Sequence, residues 1–224
     1  MPSVSAGKGG SFKNPDPGNR PALCFAIVAL GTQKRMFQGV EKTPEPHVRI
    51  GFELCGGDED RNEDGSRMTI WTKKLLMSLG DKATLRHMLD SWRGVPFTPA
   101  DLEKFDLNRV LGAGCLLNVV HNHSTDGKKT YANIENVTPL VKGMTKPEPG
   151  RKPFVYEIED GPSDTFKGLP EFIQKEIFES FEAIGGQHKW PGAGGKSSEQ
   201  RENANNQSGG ATDFGDDNGD EVPF

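Results

Sequence analysis

The sequence lacks any apolar run approaching the about 20 residues that a helix needs to cross a membrane. It also lacks a basic stretch followed by an apolar one near its N-terminus, which is the pattern of a secretory signal. Both absences predict a soluble protein of the cytoplasm that makes no membrane contact.

Cysteine is scarce: the chain has three, Cys24, Cys55 and Cys115, and none belongs to a CxxC pair. An odd number of cysteines within apolar, strand-like runs is typical of reduced, buried thiols in a cytoplasmic protein. The spacing therefore argues against a disulfide scaffold.

Motifs of catalysis and cofactor binding are also missing. The GAGC at residues 112–115 has no Lys-Ser/Thr continuation and so lacks the phosphate-binding pattern. The letters HNH at residues 121–123 are neighbours, whereas the nuclease motif of that name is a spaced arrangement. His121 and His123 can share one strand face, but no further ligand stands at metal spacing. We predict no enzymatic activity, no catalytic residue, no metal site and no cofactor.

Charge is distributed unevenly along the chain, whose formal net charge is -5. Seven of the 32 acidic residues and two of the 27 basic residues lie from residue 191 onward, which leaves 25 of each before it. A neutral body with local basic clusters can bind a polyanion through one face. The low hydrophobic fraction, 33%, predicts one modest domain together with a long stretch of disordered chain.

The last dozen residues, DFGDDNGDEVPF, form an acidic segment that contains no Lys or Arg. Its Gly and Pro residues and its lack of any period predict that it packs into no core. Such a segment suits recognition by another protein, because its carboxylates favour a basic surface while an aromatic side chain fills a pocket. A generic solubilising tail is the alternative. The predicted partner-binding residues are Asp216, Asp217, Asp220, Glu221, Val222, Pro223 and Phe224.

Two apolar runs in the first quarter of the chain predict strands. Residues 22–30 are almost continuously apolar, which predicts a strand buried on both faces. Residues 47–54 alternate, which predicts a half-exposed strand with His47, Arg49 and Glu53 facing outward. Between the two runs, Lys34 and Arg35 stand beside Phe37, in a loop or at the outer end of the first strand.

Residues 115–138 predict a β-hairpin, with strands at 115–121 and 130–138 and an Asp126-Gly127 turn signal. Lys128 and Lys129 lie at its mouth, and Tyr131 falls on the open face of the returning strand. An exposed aromatic ring flanked by lysines can stack a base and neutralise the adjoining phosphates. An ordinary hairpin with a Lys-rich end explains the same residues equally well.

Helical signals lie in three places. A four-residue apolar spacing predicts a helix over residues 68–79, and Asp81 and Gly94 delimit a second helix. Thr98-Pro99-Ala100-Asp101 is a further helix start. Near the end of the body, a helix opening at residues 169–170 aligns four apolar side chains, Ile173, Ile177, Phe181 and Ile184.

The acidic segment, through Asp216, Asp217, Asp220 and Glu221 to Val222-Pro223-Phe224, resembles the C-terminal tip of bacterial and phage single-stranded-DNA-binding proteins. The body resembles phage-encoded proteins of the same kind in LRHMLDSWRGVPFT, FDLNRVLGAGCLLNVVH and GKKTYANIENVTPLVKGM. The resemblance implies a variant oligonucleotide-binding (OB) β-barrel over most of the body. It also implies a tip that recruits replication and repair enzymes and competes with DNA for the binding groove.

We therefore expect a mainly β, α+β fold: an OB-fold-like barrel with a helical insert, a C-terminal helix and a disordered acidic tail. The expected organisation is a mobile arm at residues 1–20, a DNA-binding domain at 21–186, a linker at 187–212 and the tail at 213–224.

The expected function is sequence-non-specific binding of single-stranded DNA in replication, recombination or repair, in the cytoplasm of a bacterium or of a phage's host. The predicted DNA-binding side chains combine cations with stacking aromatics: Lys34, Arg35, Phe37, Arg49, Phe52, Lys128, Lys129 and Tyr131. Partners reached by the tail would be a polymerase, helicase, primase or nuclease. The sequence leaves open a homo-oligomer. A DNA-independent adaptor is the first alternative function, and a metal-dependent nuclease is a weaker one.

Overall fold

A computed structural model describes residues 13–186 of the chain, and its secondary structure there is mainly β. The strands are β1 (Gly18–Phe37), β2 (Val40–Leu54), β3 (Thr69–Trp71), β4 (Leu75–Leu76), β5 (Gly114–His123), β6 (Thr130–Thr138) and β7 (Phe154–Tyr156). The α-helices are short: α1 (Thr84–Arg93), α2 (Pro99–Glu103), α3 (Asp164–Lys167), α4 (Glu171–Phe178) and α5 (Phe181–Ile184).

The strands form one sheet whose main path runs β3-β2-β1-β5-β6, while β4 pairs with β2 and β7 pairs with β1. The pairings of β5 with β1 and β6, and of β2 with β3 and β4, are antiparallel, whereas β7 lies parallel to β1. Within the described residues, no ladder closes the path from β6 back to β3. The sheet is therefore open by hydrogen bonding.

Backbone contacts divide the described residues into two compact units. Unit 1 comprises residues 13–25, 50–73 and 88–153, and unit 2 comprises residues 26–49, 74–87 and 154–186. The first half of β1 lies in unit 1 and its second half in unit 2, and β2 is divided in the same way.

In unit 1 the five strands of the main path curve toward one another. Although β3 and β6 share no ladder, Cα atoms of these two end strands come within 8 Å of each other. The side chains that face inward are fully buried, including Leu23, Phe52, Leu54, Leu117 and Val137. This part of the sheet thus wraps around an apolar core of its own.

The predicted hairpin is confirmed in unit 1. The return strand β6 spans Thr130–Thr138 as expected, and β5 is longer than predicted at both ends. A bulge between Asn118 and Val119 shifts the register of the ladder. Its outer end pairs Asn122 with Tyr131 and His123 with Thr130, so the hairpin stays paired up to the connecting loop.

The helical insert between β3 and β5 also follows local sequence signals. Gly94, with φ 74°, follows α1, as glycine commonly does after a helix. Ahead of α2, the Thr98 hydroxyl accepts from the Asp101 amide while the Asp101 carboxylate accepts from the Thr98 amide. The helix start predicted at these residues is confirmed, with a reciprocal capping box.

A buried carboxylate joins β2 to the segment that follows β6 in unit 1. Glu53 is 1% exposed and accepts from Arg67 Nη1 at 3.2 Å, Arg151 Nε at 3.0 Å and the Gly150 amide at 2.7 Å. A Cβ at Gly150 would lie 2.8 Å from Glu53 Oε1, so any larger residue here would displace the carboxylate. The prediction that Glu53 faces solvent is wrong, because two arginines and one amide compensate its burial.

Unit 2 contains a β-hairpin formed by residues 26–37 of β1 and 40–49 of β2. Gln38 and Gly39 connect the strands with φ 50° and 76°, as in the tight two-residue turns that match strand twist. Five residues before the end of β1, the Thr32 amide donates to Oε2 of Glu182 in α5 at 2.8 Å. The sequence predicted that Lys34, Arg35 and Phe37 lie in a loop or at the outer end of the first strand. In the structure, β1 continues through these residues and ends at Phe37.

Two helix predictions need correction. Residues 68–79 form the short strands β3 and β4 and not a helix, because each pairs with β2 and pairing overrides an apolar spacing of four. The single helix predicted after Pro170 is two helices that break at Ser180, whose hydroxyl caps α5. As a result Phe181 and Ile184 are 43% and 59% exposed and not aligned with buried Ile173 and Ile177.

All three cysteines are free thiols, with Cys24 and Cys115 buried and Cys55 half-buried. Burial raises the pKa of the Cys115 thiol well above its ordinary value, so this thiol is held in its protonated form. Among residues 13–186, no helix is both long enough and apolar enough to cross a bilayer.

Candidate nucleic-acid interface

The loop between β5 and β6 holds two lysines in a defined backbone conformation. The Ser124 amide donates to the Lys129 carbonyl at 2.8 Å, and the Gly127 amide donates to the Ser124 carbonyl at 2.8 Å. The Asp126 carboxylate accepts from the Lys128 amide at 3.1 Å. Bonds from the Ser124 hydroxyl and the Lys128 amide lower the pKa of Asp126 below its ordinary value. Lys128 and Lys129 are both exposed at this ordered turn.

Tyr131 is the second residue of β6, after the loop, and lies on the outer face of the strand. Its side chain is 49% exposed, as predicted. Directly opposite residues of an antiparallel pair share a face, so Asn122 lies beside Tyr131, and Val120 lies beside Asn133 one step further along. The aromatic ring is therefore flanked by amide side chains that can donate and accept hydrogen bonds.

Loop and strand together make a small cationic surface in unit 1, which we call the β5–β6 edge: Asn122, Lys128, Lys129, Tyr131 and Asn133. It offers one open ring for stacking, two ammonium groups for phosphates and two amides for base or sugar edges. Asn122 was not singled out from the sequence. Only the ladder register, which places it opposite Tyr131, brings it into this set.

The hairpin of unit 2 presents a second group of exposed cations and apolar side chains. Phe37 is 43% exposed, and the Lys42 ammonium lies 5.8 Å from the centre of its ring. Lys34 is exposed, while Arg35 forms an ion pair with Glu45. Lys42 was missed from the sequence because its surroundings, rich in Glu and Pro, indicated a plain connection.

Arg49 has a structural contact in unit 2. Its Nε and Nη2 each lie 2.6 Å from a carboxylate oxygen of Glu176, and its guanidinium lies over the Phe172 ring at 5.1 Å. This two-point pair joins β2 to α4 and neutralises the arginine. We therefore leave Arg49 out of the proposed interface.

Phe52 cannot stack a base in this structure, and that prediction is corrected. The side chain is 0% exposed and packs in unit 1 against Trp92, with ring centres 5.3 Å apart. Phe52 shares the strand face of Val48 and Ile50, which are also 0% exposed, and so belongs to the core.

The two histidines of the HNH letters lie on the opposite face from Tyr131. His121 Nε2 is 2.8 Å from the Pro15 carbonyl, and His123 Nδ1 is 3.1 Å from the Thr130 hydroxyl. In the part of the chain that the structure describes, no group of three or more His, Cys, Asp or Glu is placed to hold a metal ion.

The predicted partner-binding residues of the acidic segment lie outside the described residues: Asp216, Asp217, Asp220, Glu221, Val222, Pro223 and Phe224. The predicted linker at 187–212 and the first part of the N-terminal arm, residues 1–12, also lie outside them. The described end of that arm, from Gly18, already belongs to β1.

Comparisons with known proteins add no family: no family model matches this chain, and no curated protein matches it either.

Proposed function

We propose that this protein binds single-stranded DNA without sequence preference and uses the β5–β6 edge to do so. The observation that carries the proposal is Tyr131, a half-exposed ring two residues after a pair of exposed lysines on a hydrogen-bonded turn. Stacking on an aromatic face tolerates every base, and lysines neutralise phosphates regardless of sequence.

The topology of unit 1 supports an OB-fold-like barrel. Taken in chain order, its strands are β1, β2, β3, β5 and β6, interrupted by a helical insert after β3. The fourth of these pairs with the first, and the fifth pairs with the fourth and approaches the third. That order agrees with a five-stranded, partly open Greek-key barrel, a fold that binds oligonucleotides through two of its loops and the face of its second and third strands.

In this chain, the two loops that bind oligonucleotides in such a fold would be the ones that carry the two groups of exposed cations described above. The loop between the fourth and fifth strands is Ser124–Lys129, and the connection between the first and second is the hairpin that bears Lys34, Phe37 and Lys42. We propose that each group contacts DNA. Arg35 contributes less, since Glu45 already pairs with it.

We propose that residues 213–224 recruit a protein of replication, recombination or repair in the cytoplasm where that DNA is handled. Five carboxylates and the apolar Val222-Pro223-Phe224 provide the chemistry for a basic, pocketed partner surface.

Replacing Tyr131 with alanine should weaken binding of labelled oligo-dT by about five- to 150-fold, the equivalent of one lost stack of about 1–3 kcal/mol. The measurement is fluorescence anisotropy with the full chain at low salt. Tyr131→Phe keeps the ring and should keep the affinity within about twofold.

Phe181→Ala is the matched control, because Phe181 is another exposed aromatic residue, 43% exposed. It should leave the affinity unchanged. Equal losses of oligo-dT affinity in Tyr131→Ala and Phe181→Ala would show that the β5–β6 edge does not bind DNA. If the unchanged chain shows no salt-sensitive binding of oligo-dT, the proposed function is excluded.

Changing Lys128 and Lys129 together to glutamine should flatten the salt dependence of binding. If each lysine neutralises one phosphate, the slope of log affinity against log salt should fall by about 1.4, since each contact to a single strand contributes about 0.7. The control exchanges Lys167 for glutamine, a lysine that already pairs with Asp164. An unchanged slope in the double variant would place the DNA elsewhere.

A DNA-independent adaptor is the second candidate, and one observation favours it. Met36, Phe37 and Val40 are 59%, 43% and 58% exposed around the turn of the unit 2 hairpin. Such an apolar group fits a protein partner as well as a base. The same anisotropy assay separates the two, since an adaptor gives no oligo-dT signal.

A further inference from the structure

Unit 1 contains a pocket that the β5–β6 edge does not include. It has a volume of about 350 Å³ and lies among α1, α2 and the turn that leads into β5. Ligand sites in proteins are commonly about 300–1,000 Å³, so this pocket suits one small molecule. The pocket lies at the start of β5 and the loop with Lys128 and Lys129 follows the end of this strand, which is about 30 Å long at about 3.3 Å per residue. A small ligand in the pocket therefore does not reach the β5–β6 edge.

The apolar part of the lining is mostly aromatic: Leu89, Trp92, Phe97, Phe105 and Val110. Leu89, Trp92 and Phe97 are buried, whereas Phe105 is half-buried and keeps part of its ring open. Phe97 and Phe105 meet edge to face with ring centres 4.8 Å apart. This wall suits a flat ring.

The polar part of the lining is nearly as large and includes a paired arginine and carboxylate. The Arg93 guanidinium lies over the Phe97 ring at 4.1 Å, and its Nη2 is 3.3 Å from Asp101 Oδ2. Asp101 Oδ2 also accepts from the Thr98 amide at 3.0 Å, and this bond lowers the pKa of Asp101, so the group is ionised at neutral pH. Asp101 Oδ1 and the remaining N–H groups of Arg93 are left to bind a ligand.

Arg109 supplies a second cation to the pocket. Its side chain is exposed, and its guanidinium forms no ion pair or hydrogen bond with any other residue that the structure describes. Since Asp101 already offsets Arg93, the lining carries one positive charge in excess. That charge favours an anionic group on the ligand.

These groups restrict the chemistry of the occupant. A purely apolar ligand would displace water from Asp101 and Arg93 without replacing its hydrogen bonds, and a ligand with only negative charge would be repelled by Asp101. The occupant that fits has a flat ring, a hydrogen-bond donor beside an acceptor, and an anionic group. A nucleotide has all three, because every base carries N–H donors next to acceptors along its edge and a phosphate binds a guanidinium.

We propose that this pocket binds one nucleotide, with the base against Phe105 and Arg93, the edge of the base at Asp101 and the phosphate at Arg109. Aromatic rings and guanidinium planes both stack on bases. The same chemistry belongs to a free nucleotide and to one unit of a single strand, and titrations with monomers and oligomers separate these two sources. The inference does not rest on the proposed function, because it involves none of the residues of the β5–β6 edge.

The test is a titration of the isotope-labelled full chain with each deoxynucleoside 5′-monophosphate, followed by amide NMR spectra. We expect at least one monophosphate to cause saturable shifts of amides within residues 89–113. Ribose 5-phosphate and inorganic phosphate should bind there about tenfold more weakly or less, because they lack a base to stack. Tyr131→Ala should leave the titration of these amides unchanged.

Two variants separate the phosphate from the base. Arg109→Ala should weaken binding of the monophosphate by about fivefold or more, and it should leave binding of the matching deoxynucleoside, which has no phosphate, unchanged. Phe105→Leu keeps an apolar side chain but removes the stacking ring, so it should weaken binding of both. Lys73→Ala is the control, since Lys73 is an exposed cation of unit 1 outside the pocket lining, and it should change neither affinity.

The outcomes distinguish the source of the nucleotide and the failure of the proposal. Shifts with monomers indicate a free nucleotide, and shifts with oligo-dT alone that Arg109→Ala reduces indicate one unit of a strand; both support the proposal. No shift within residues 89–113, equal affinity for ribose 5-phosphate and a nucleotide, or an affinity that Arg109→Ala does not change would overturn it. If the chain binds oligo-dT but the pocket amides do not respond, this inference fails and the proposed function stands. If the pocket binds monomers but the chain does not bind oligo-dT, the reverse holds.

Discussion

Replacing Glu53 with alanine should lower the free energy of unfolding by about 1–3 kcal/mol, because the partly exposed Arg67 and Arg151 and the Gly150 amide lose their acceptor. Glu53 is 1% exposed and receives Arg67, Arg151 and the Gly150 amide, so the variant deprives three donors of their acceptor at once. Urea unfolding at neutral pH, followed by circular dichroism, measures the change.

Two further variants sharpen this experiment. Glu53→Gln keeps one acceptor oxygen but converts the other into an NH2 donor that faces a donor, so it should cost somewhat less than the alanine variant, about 1–2 kcal/mol. Glu59→Ala is the control: Glu59 meets Arg20 at 3.4 Å but is 50% exposed, and exposed pairs contribute about 0–1 kcal/mol. If the losses in Glu53→Ala and Glu59→Ala are equal, the Glu53 cluster is not a stabilising contact.

Replacing Phe52 with alanine should destabilise the protein by about 3–5 kcal/mol, the range for a large aromatic removed from a core. Phe52 is 0% exposed and its ring packs against Trp92. The expected defect is in folding, seen as a lower urea midpoint and a lower melting temperature. Under conditions where the variant stays folded, its affinity for oligo-dT should match that of the parent chain.

Phe37→Ala is the contrasting variant, since Phe37 is 43% exposed on the unit 2 hairpin. Its stability should change by less than about 0.5 kcal/mol, as for most surface substitutions. Because the group that contains Phe37 is proposed to contact DNA, the affinity of the Phe37→Ala variant for oligo-dT should fall instead. A Phe52→Ala chain that is stable but fails to bind DNA would contradict the placement of this ring in the core.

The exclusion of Arg49 and Phe52 changes the proposed interface. Arg49 is committed to Glu176 by two bonds of 2.6 Å, and Phe52 is enclosed. The remaining predicted residues fall into two groups, each within a single unit: Lys128, Lys129 and Tyr131 in unit 1, and Lys34, Arg35 and Phe37 in unit 2. Asn122 and Lys42 extend the two groups.

Signals confined to a few neighbouring residues were readable in advance. The β6 strand, the turn at Asp126-Gly127, the capping box at Thr98 and the end of α1 at Gly94 each follow from local chemistry. Tyr131 was correctly placed on an open face, because strand alternation determines which side chains point outward.

Predictions that required knowledge of distant partners failed. Residues 68–79 have a helical spacing, yet their backbone pairs with β2 as two short strands. His47 and Glu53 look like outward-facing residues of an alternating strand but are 4% and 1% exposed. For Glu53 the covering segment lies about a hundred residues further along the chain, at Gly150 and Arg151.

The amino-acid order by itself determined the hairpin, the capped helices and the chemical character of the acidic segment, since each depends on residues close together in the chain. Only the tertiary structure decided which cations pair with a carboxylate and which do not. Arg49 and Lys128 are both cations on strands or loops in the sequence, but Glu176 pairs only with the first. Contacts between residues far apart in the chain assign these roles, because burial and ion pairing depend on what the folded backbone brings together.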